Sequence, residues 1–203
     1  SDYENAIDED TGAILVVHTS NYKVMGFTES VDFKQLGDLC NKKGVNLLFD
    51  LGSGAILNLK SENIPFERKI DEYLKLGANI VTYSGDKLLG GIQTGIISGD
   101  KDLIDKIYNN PMYRTLRCDK YRISLMEKIL RTYDSKNEVS PDNLSINLFL
   151  RSKEELQKHA QEVTSNINDA LKQNYNFKVI NTKVEAGSGS LPVEKINSLA
   201  ITI

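Results

Sequence analysis

The strongest constraint on the fold is an alternation of short, mostly apolar runs with segments of helical periodicity. Residues 13–17 (AILVV) form the first run, and residues 45–49 and 79–83 form the next two. Because strands that are apolar at nearly every position are buried on both faces, these runs predict parallel strands covered by helices. A fourth strand is predicted over residues 95–98, so we expect an α/β domain with a mostly parallel sheet and right-handed crossovers.

The segments between the first three runs carry the spacing of amphipathic helices. Apolar residues recur at helical intervals over residues 33–40, and Gly44 is well placed to end that helix. A second apolar stripe covers residues 70–74 and is followed by Gly77. Another helix is predicted through residues 125–130, which continues the pattern beyond the fourth strand.

A polar segment, residues 134–142, breaks this pattern and predicts a domain boundary. We therefore assign residues 1–136 to a larger domain and residues 137–203 to a smaller α+β domain. The chain opens with Ser1 instead of methionine and ends on a short apolar run, so we expect a fragment of a longer protein. The larger domain is then the C-terminal part of its full form, and the smaller one is also incomplete.

The smaller domain is predicted to contain one long helix and two strands. Ser152 and Glu155 fit a capping box at the start of the helix. The predicted apolar face of this helix consists of Leu156, Ala160, Val163, Ile167 and Leu171. The strands are expected near residues 177–184 and 199–203, which gives this domain its α+β character.

The bulk properties exclude several classes of protein. No run approaches the roughly 18 apolar residues that a membrane-spanning helix needs, and no secretion signal is present, so we expect a cytoplasmic protein without a membrane partner. Cys40 and Cys118 have no metal-ligand spacing, so we expect reduced thiols and no metal site. The net charge of -3 argues against nucleic-acid binding over the whole surface, although residues 113–122 are locally basic.

Polar residues follow three of the predicted strands, at residues 18–21, 50–54 and 84–91. Ligands of open parallel sheets bind outside the carboxyl ends of the strands. A pyridoxal-phosphate site needs a lysine for a Schiff base and a carboxylate beside the pyridine nitrogen, and Lys87 and Asp50 have the right chemistry. On spacing alone, an Asp or a Lys at the end of a strand is usually a solvated loop residue.

Three motifs carry a more specific signal. They are His18-Thr19-Ser20-Asn21-Tyr22, Asp50-Leu51-Gly52-Ser53-Gly54 and Ser84-Gly85-Asp86-Lys87-Leu88-Leu89-Gly90-Gly91. In type, order and spacing they resemble the signature blocks of bacterial selenocysteine synthase, the L-seryl-tRNA(Sec) selenium transferase family. The resemblance extends through Arg114–Arg117 to Gly187–Pro192. Two departures are that Ile92 stands where the family has proline and that the family's N-terminal region, which contacts tRNA, has no counterpart in the chain.

The resemblance implies the fold-type-I architecture of aminotransferase-like, pyridoxal-phosphate-dependent transferases and assigns roles to several residues. Lys87 would hold pyridoxal 5'-phosphate, Asp50 would pair with its ring nitrogen, and Ser84 would bind its phosphate. Asn21 would contact the ring oxygen. Asp86 would orient Lys87 or the leaving hydroxyl, although Asn21 and Asp86 are equally suited to forming turns.

Two arginines and a histidine are further candidates. By the same resemblance, Arg114 and Arg117 would bind the anionic selenium donor, which suits guanidinium chemistry; the alternative is a solvated basic patch. His18 would contact the cofactor, although a single histidine after a strand is more often structural.

The resemblance also implies a reaction and its partners. Seryl-tRNA(Sec) would lose hydroxide to leave an aminoacrylyl intermediate, with Lys87 as the general base, and selenophosphate would then give selenocysteinyl-tRNA(Sec). The full-length protein is expected to form a homo-oligomer, a ring built from dimers. Both the reaction and the assembly are implied by the family alone.

Other functions remain open at this stage. A related pyridoxal-phosphate lyase or eliminase of a small amino acid would share Lys87, Asp50 and Ser84 without needing the two arginines. A noncatalytic folding or oligomerisation module is a second alternative, because isolated sub-domains often keep a core without a complete site. A nucleotide-binding domain is disfavoured, since neither GxGxxG nor GxxxxGK[ST] occurs in the chain.

Overall fold

A computed structural model describes residues 2–18, 26–57, 68–134, 142–186 and 191–203, without the side chains of residues 186 and 191–195. The strands are β1 (Ala13–Val17), β2 (Asn46–Asp50), β3 (Ile80–Ser84), β4 (Gly95–Gly99), β5 (Lys178–Ala186) and β6 (Leu191–Thr202). The helices are α1 (Asp2–Ala6), α2 (Phe33–Lys43), α3 (Ile70–Lys75), α4 (Lys101–Asn109), α5 (Pro111–Leu116), α6 (Lys120–Arg131), α7 (Leu144–Phe149), α8 (Lys153–Ser165) and α9 (Asp169–Asn174). All four predicted strands of the larger domain are confirmed to within a residue or two.

The larger sheet has the strand order β1-β2-β3-β4. β1, β2 and β3 are parallel to one another, as predicted, whereas β4 runs antiparallel to β3. Residues 85–94 connect β3 to β4 without a helix, and so short a connection cannot make the crossover that a parallel neighbour requires. The antiparallel strand therefore follows from the length of the loop that contains Lys87.

One face of this sheet carries the hydrophobic core. The fully or nearly buried members of the core are Leu36, Cys40, Leu47, Phe49, Leu51, Ile70, Tyr73, Ala78, Val81 and Tyr83. They come from α2, α3 and the alternate positions of β2 and β3 that point toward these helices. The rings of Phe49 and Tyr73 pack with their centroids 4.9 Å apart.

Specific local contacts cap both ends of helix α2. The Asp32 carboxylate accepts a hydrogen bond from the Gln35 backbone N–H at 2.9 Å, which caps the N-terminus. Gly44 ends the helix with a φ of 69°, a left-handed conformation that glycine adopts without steric cost. The predicted stop at Gly44 is confirmed.

The opposite face of the sheet is partly open among the described residues. Leu15 and Val17 of β1 are 61% and 56% exposed, although the sequence predicts helices on both faces. Helices α4, α5 and α6 lie beyond β4 and face this side of the sheet across a cavity described below. None of the helices in the described ranges has the length and apolarity to cross a bilayer.

The second part of the chain contains α7, α8, α9 and a two-stranded antiparallel sheet of β5 and β6. The capping box of α8 is confirmed by two reciprocal hydrogen bonds between Ser152 and Glu155. The predicted long helix is wrong in its length, because α8 ends at Ser165 and Asn168 caps a separate helix. Ile167 and Leu171 therefore do not share a helix with Leu156. Since residues 135–141 lie outside the described ranges, the domain boundary stays a prediction.

A single methyl group tests the packing of α2 against the C-terminal end of α3. A Cβ added at Gly37 would lie 2.1 Å from the Leu76 backbone oxygen. We expect Gly37→Ala to lower the free energy of unfolding by about 1–3 kcal/mol, because the contact is with backbone that cannot move aside cheaply. Urea denaturation of Gly37→Ala and of Gly12→Ala, which meets nothing within 4 Å, measures the difference. Equal stability of the two variants would contradict this packing.

Candidate active site

Asp50 and Ser84 lie on the same face of the sheet and line one cavity of about 940 Å³. Asp50 is opposite Thr82 in the β2–β3 register, and Ser84 follows two residues later on β3. Because side chains alternate between the two faces of a strand, Thr82 and Ser84 share the face of Asp50. The remaining wall of the cavity comprises Tyr83, Thr94, Gly95, Ile96, Ile97, Ile107, Asn110, Met112, Tyr113, Leu116, Arg117, Cys118, Ile123, Met126, Glu127 and Leu130.

The Asp50 carboxylate is held in place by a neighbouring strand. Its Oδ1 atom accepts a hydrogen bond from the Thr82 hydroxyl at 3.1 Å and a long one from the Gly52 backbone N–H at 3.4 Å. The backbone oxygen of Asp50 accepts from the His18 N–H at 2.8 Å. The end of β1 and the candidate carboxylate are therefore directly connected.

His18 carries an unsatisfied polar atom at this edge of the sheet. Its Nδ1 atom is buried and has no hydrogen-bond partner among the described residues. Buried polar atoms are nearly always paired, so this nitrogen is a candidate for a hydrogen bond with a bound ligand. Asn21, the other predicted residue of this segment, lies outside the described residues.

Lys87 lies in a tight turn, residues 85–89, that leaves the end of β3. The Gly85 N–H donates to the Thr94 oxygen at 2.9 Å, and the Gly91 N–H donates to the Gly85 oxygen at 2.8 Å. These two backbone hydrogen bonds connect the two ends of the loop. Lys87 is half-buried, whereas Asp86 is exposed to solvent. The turn thus begins directly after Ser84 and brings the lysine to the same end of the sheet. Lys87 itself is not among the residues that line the cavity.

Two glycines allow this loop to press against α6. A Cβ added at Gly85 would lie 2.6 Å from the Met126 Cε atom and 2.2 Å from the Thr94 Oγ1 atom, and one at Gly91 would lie 2.7 Å from Met126 Cε. Larger residues at either position would push the loop away from the helix. The glycines of the motif therefore have a packing role next to the lysine.

The structure separates the two predicted arginines. Arg117 follows the end of α5 and lines the cavity together with Asp50 and Ser84. Both arginines are exposed, but Arg114, within α5, does not line the described cavity. The described residues contain no group of three or more His, Cys, Asp or Glu side chains suited to a metal.

Sequence reasoning missed residues that support the site. Thr82 could have been found, because it is two residues before Ser84 on a strand and must share its face. Tyr133 and Asn143 gave no local signal, yet the Tyr133 hydroxyl and the Asn143 amide both donate to the backbone oxygen of Leu89, at 2.7 Å and 3.3 Å. Burial raises the pKa of Tyr133 to about 12.

Comparisons with known proteins agree on one family. A family model described as L-seryl-tRNA selenium transferase matches residues 1–203. The chain is 37% identical over 203 residues to the L-seryl-tRNA(Sec) selenium transferase of Mannheimia succiniciproducens, and 39% identical over 201 residues to that of Proteus mirabilis. The two matches span 100% and 99% of this chain, but only 44% and 43% of the two relatives. The chain therefore spans less than half the length of the relatives it matches.

A solved structure shows the same fold. The structure of D-glucosaminate-6-phosphate ammonia-lyase matches 98% of this chain and 44% of its own chain, with a TM-score of 0.61 and 16% sequence identity. At this identity the likeness is one of fold alone. Together with the mixed, mostly parallel sheet, it confirms the predicted fold-type-I α/β class.

The raised pKa of Tyr133 predicts a loss of stability at alkaline pH. The unfolded tyrosine ionises near pH 10, whereas the folded one stays protonated to about 12, so the stabilisation is complete below pH 10 and is lost as the pH rises through about 12. We expect the unfolding midpoint in urea to fall more steeply over this interval in the wild-type protein than in Tyr133→Phe. Parallel pH profiles of the two proteins would contradict the burial of this hydroxyl.

Proposed function

The chain belongs to the L-seryl-tRNA selenium transferase family, and we propose that its protein converts seryl-tRNA(Sec) to selenocysteinyl-tRNA(Sec) with pyridoxal phosphate and selenophosphate. One observation carries the proposal: Asp50 and Ser84 line a single cavity at the end of the sheet, and the turn bearing Lys87 starts directly after Ser84. Asp50 and Ser84 are two of the side chains that the family's cofactor would need, and they come from neighbouring strands.

The residues present suit pyridoxal phosphate. The Asp50 carboxylate, oriented by Thr82, would pair with the ring nitrogen, and the Ser84 hydroxyl would donate to the phosphate. The unpaired Nδ1 atom of His18 supports a polar contact with the bound cofactor, and we assign Asn21 to the ring oxygen. Once bound, the cofactor supplies an electron sink for a carbanion at the α-carbon of its substrate.

Lys87 has two roles in the proposal. Its Nζ atom would hold the cofactor, and its amine would serve as the base for the proton on the α-carbon of the seryl group. Asp86 is adjacent and exposed, and we assign it to orienting Lys87 or the leaving hydroxyl. Lys87 itself is half-buried.

Arg117 is the better placed of the two arginines for an anionic selenium donor. It lines the same cavity as Asp50 and Ser84, whereas Arg114 does not. Guanidinium groups bind phosphate-like oxygens through charge-assisted hydrogen bonds. We assign Arg114, one helical turn earlier and exposed, to the outer approach of the donor.

The assembly and location belong to the proposal as well. Because the chain covers 44% of the Mannheimia succiniciproducens relative, the rest of the longer protein is expected to complete the site and to contact tRNA. We propose that the whole protein forms a dimer-based homo-oligomer. We also place it in the cytoplasm, where aminoacylated tRNA is used.

The assignment of Lys87 is tested by trapping its bond to the cofactor. We expect borohydride reduction in the presence of pyridoxal phosphate to label Lys87, as shown by peptide mapping, and the visible absorption of the complex to be lost in Lys87→Ala. Lys101→Ala, an exposed lysine on α4, serves as the matched control and should keep the absorption. Specific labelling of a lysine other than Lys87 would contradict the assignment.

The selenium-donor site is tested through Arg117. We expect Arg117→Ala to raise the KM for selenophosphate by about tenfold or more, the effect of losing a charge-assisted hydrogen bond, with a smaller rise for Arg114→Ala. Arg122→Ala is the control. Arg122 is an exposed residue of α6 that forms an ion pair with Asp119, the N-cap of the same helix. An unchanged KM for selenophosphate in Arg117→Ala, with cofactor binding intact, would contradict the assignment of Arg117 to the donor. Turnover by the wild-type protein that does not depend on selenophosphate would instead favour a lyase that uses no anionic donor.

A further inference from the structure

We propose that Tyr133 and Asn143 are positioning residues that hold the Lys87 turn from behind; the inference rests on the proposed role of Lys87. The Tyr133 hydroxyl and the Asn143 amide both donate to the Leu89 backbone oxygen, two residues after the lysine. Neither residue is near the turn in sequence, since they lie 44 and 54 positions further along the chain. Through the Leu89 oxygen, the lysine turn is thus hydrogen-bonded to the region after α6.

This contact is buried and its polar groups are paired. Leu89 and Asn143 are both 0% exposed. The Asn143 amide also donates to the Thr132 hydroxyl at 3.2 Å, while its Oδ1 atom accepts from the Ile146 N–H at 3.2 Å and caps α7. A fully satisfied network inside the protein is rigid, because any displacement leaves a buried donor or acceptor without a partner.

The backbone next to Lys87 follows this network closely. Gly90 donates its N–H to the Lys87 oxygen at 2.9 Å and has a φ of +75°. A Cβ at Gly90 would lie 2.6 Å from the Asn143 Oδ1 atom, so the chain passes directly against the asparagine. A shift of Asn143 would therefore move the residue that is hydrogen-bonded to the backbone of Lys87.

The other side of the turn is fixed independently by α6. Gly85 and Gly91 contact Met126 so closely that neither has room for a methyl group. The turn is therefore held between Met126 on one side and the Tyr133–Asn143 pair on the other. Such support keeps the direction of the lysine side chain constant, and catalytic geometry depends on that constancy.

Two substitutions remove the contacts with little other change. Tyr133→Phe deletes the hydroxyl and keeps the ring. Asn143→Ser keeps a residue that can cap α7 but is too short to reach Leu89. We expect each variant to bind pyridoxal phosphate about fivefold more weakly, because each loses one net hydrogen bond. The double variant should bind the cofactor more weakly still. We also expect the pH titration of the visible absorption of the lysine-bound cofactor to shift.

The control variant is Asn79→Ser, at the other end of β3. Asn79 also joins distant backbone, because its side chain accepts from the Leu47 N–H at 2.8 Å and donates to Asp100 at 2.8 Å. It should lose stability as Asn143→Ser does, while its cofactor affinity and absorption titration stay as in the wild type.

Two outcomes separate the inference from the function on which it rests. Labelling of Lys87 together with unchanged affinity and titration in Tyr133→Phe and Asn143→Ser would overturn the positioning role alone. A cofactor bond that survives in Lys87→Ala would overturn the proposed function itself. Equal changes in affinity for Asn79→Ser and Asn143→Ser would also overturn the inference, because they would show a general loss of folding.

Discussion

The candidate site depends on the parallel hydrogen-bonded register between β2 and β3. That register sets Asp50 beside Thr82 and places Ser84 on the same face one pleat further along. A shift of one residue would turn the Ser84 side chain to the opposite face, where α2 and α3 pack on the sheet. The core side chains of that face, Phe49 and Val81 among them, oppose such a shift because it would expose them.

The tight conformation of the Lys87 turn follows from the strand directions in the same sheet. Since β4 returns antiparallel to β3 after a short loop, residues 85–94 must reverse direction within a small space. Glycines at positions 85, 90 and 91 permit this reversal and the close approach of Met126 and Asn143. The chemistry proposed for Lys87 therefore relies on packing from both the sheet and the helices that follow it.

Much of this architecture can be predicted from the sequence. The strands of the larger sheet and the stop at Gly44 follow from apolar runs and a single glycine, since both are local signals. The ending of α8 at Ser165 was missed because the apolar spacing continues through Leu171 across a new cap at Asn168.

The residues of the candidate site also divide into those with a local sequence signal and those without one. Asp50, Ser84 and Lys87 are predicted from motifs at strand ends that resemble those of the family, whereas no short segment reveals that Tyr133 and Asn143 meet Leu89. Such long-range contacts depend on how helices dock, and helix docking leaves no mark within a local window. The different positions of Arg114 and Arg117 have the same origin, because Arg117 lines the cavity with other residues of this segment whereas Arg114 does not.

A crystal structure of the protein with pyridoxal phosphate would test the central claim most directly. We predict continuous density from the Lys87 Nζ atom to the cofactor, with the Asp50 carboxylate about 3 Å from the ring nitrogen. The Ser84 hydroxyl should lie at a similar distance from a phosphate oxygen. A cofactor joined to another lysine, or one whose ring nitrogen faces away from Asp50, would contradict the assignment of this cavity as the active site.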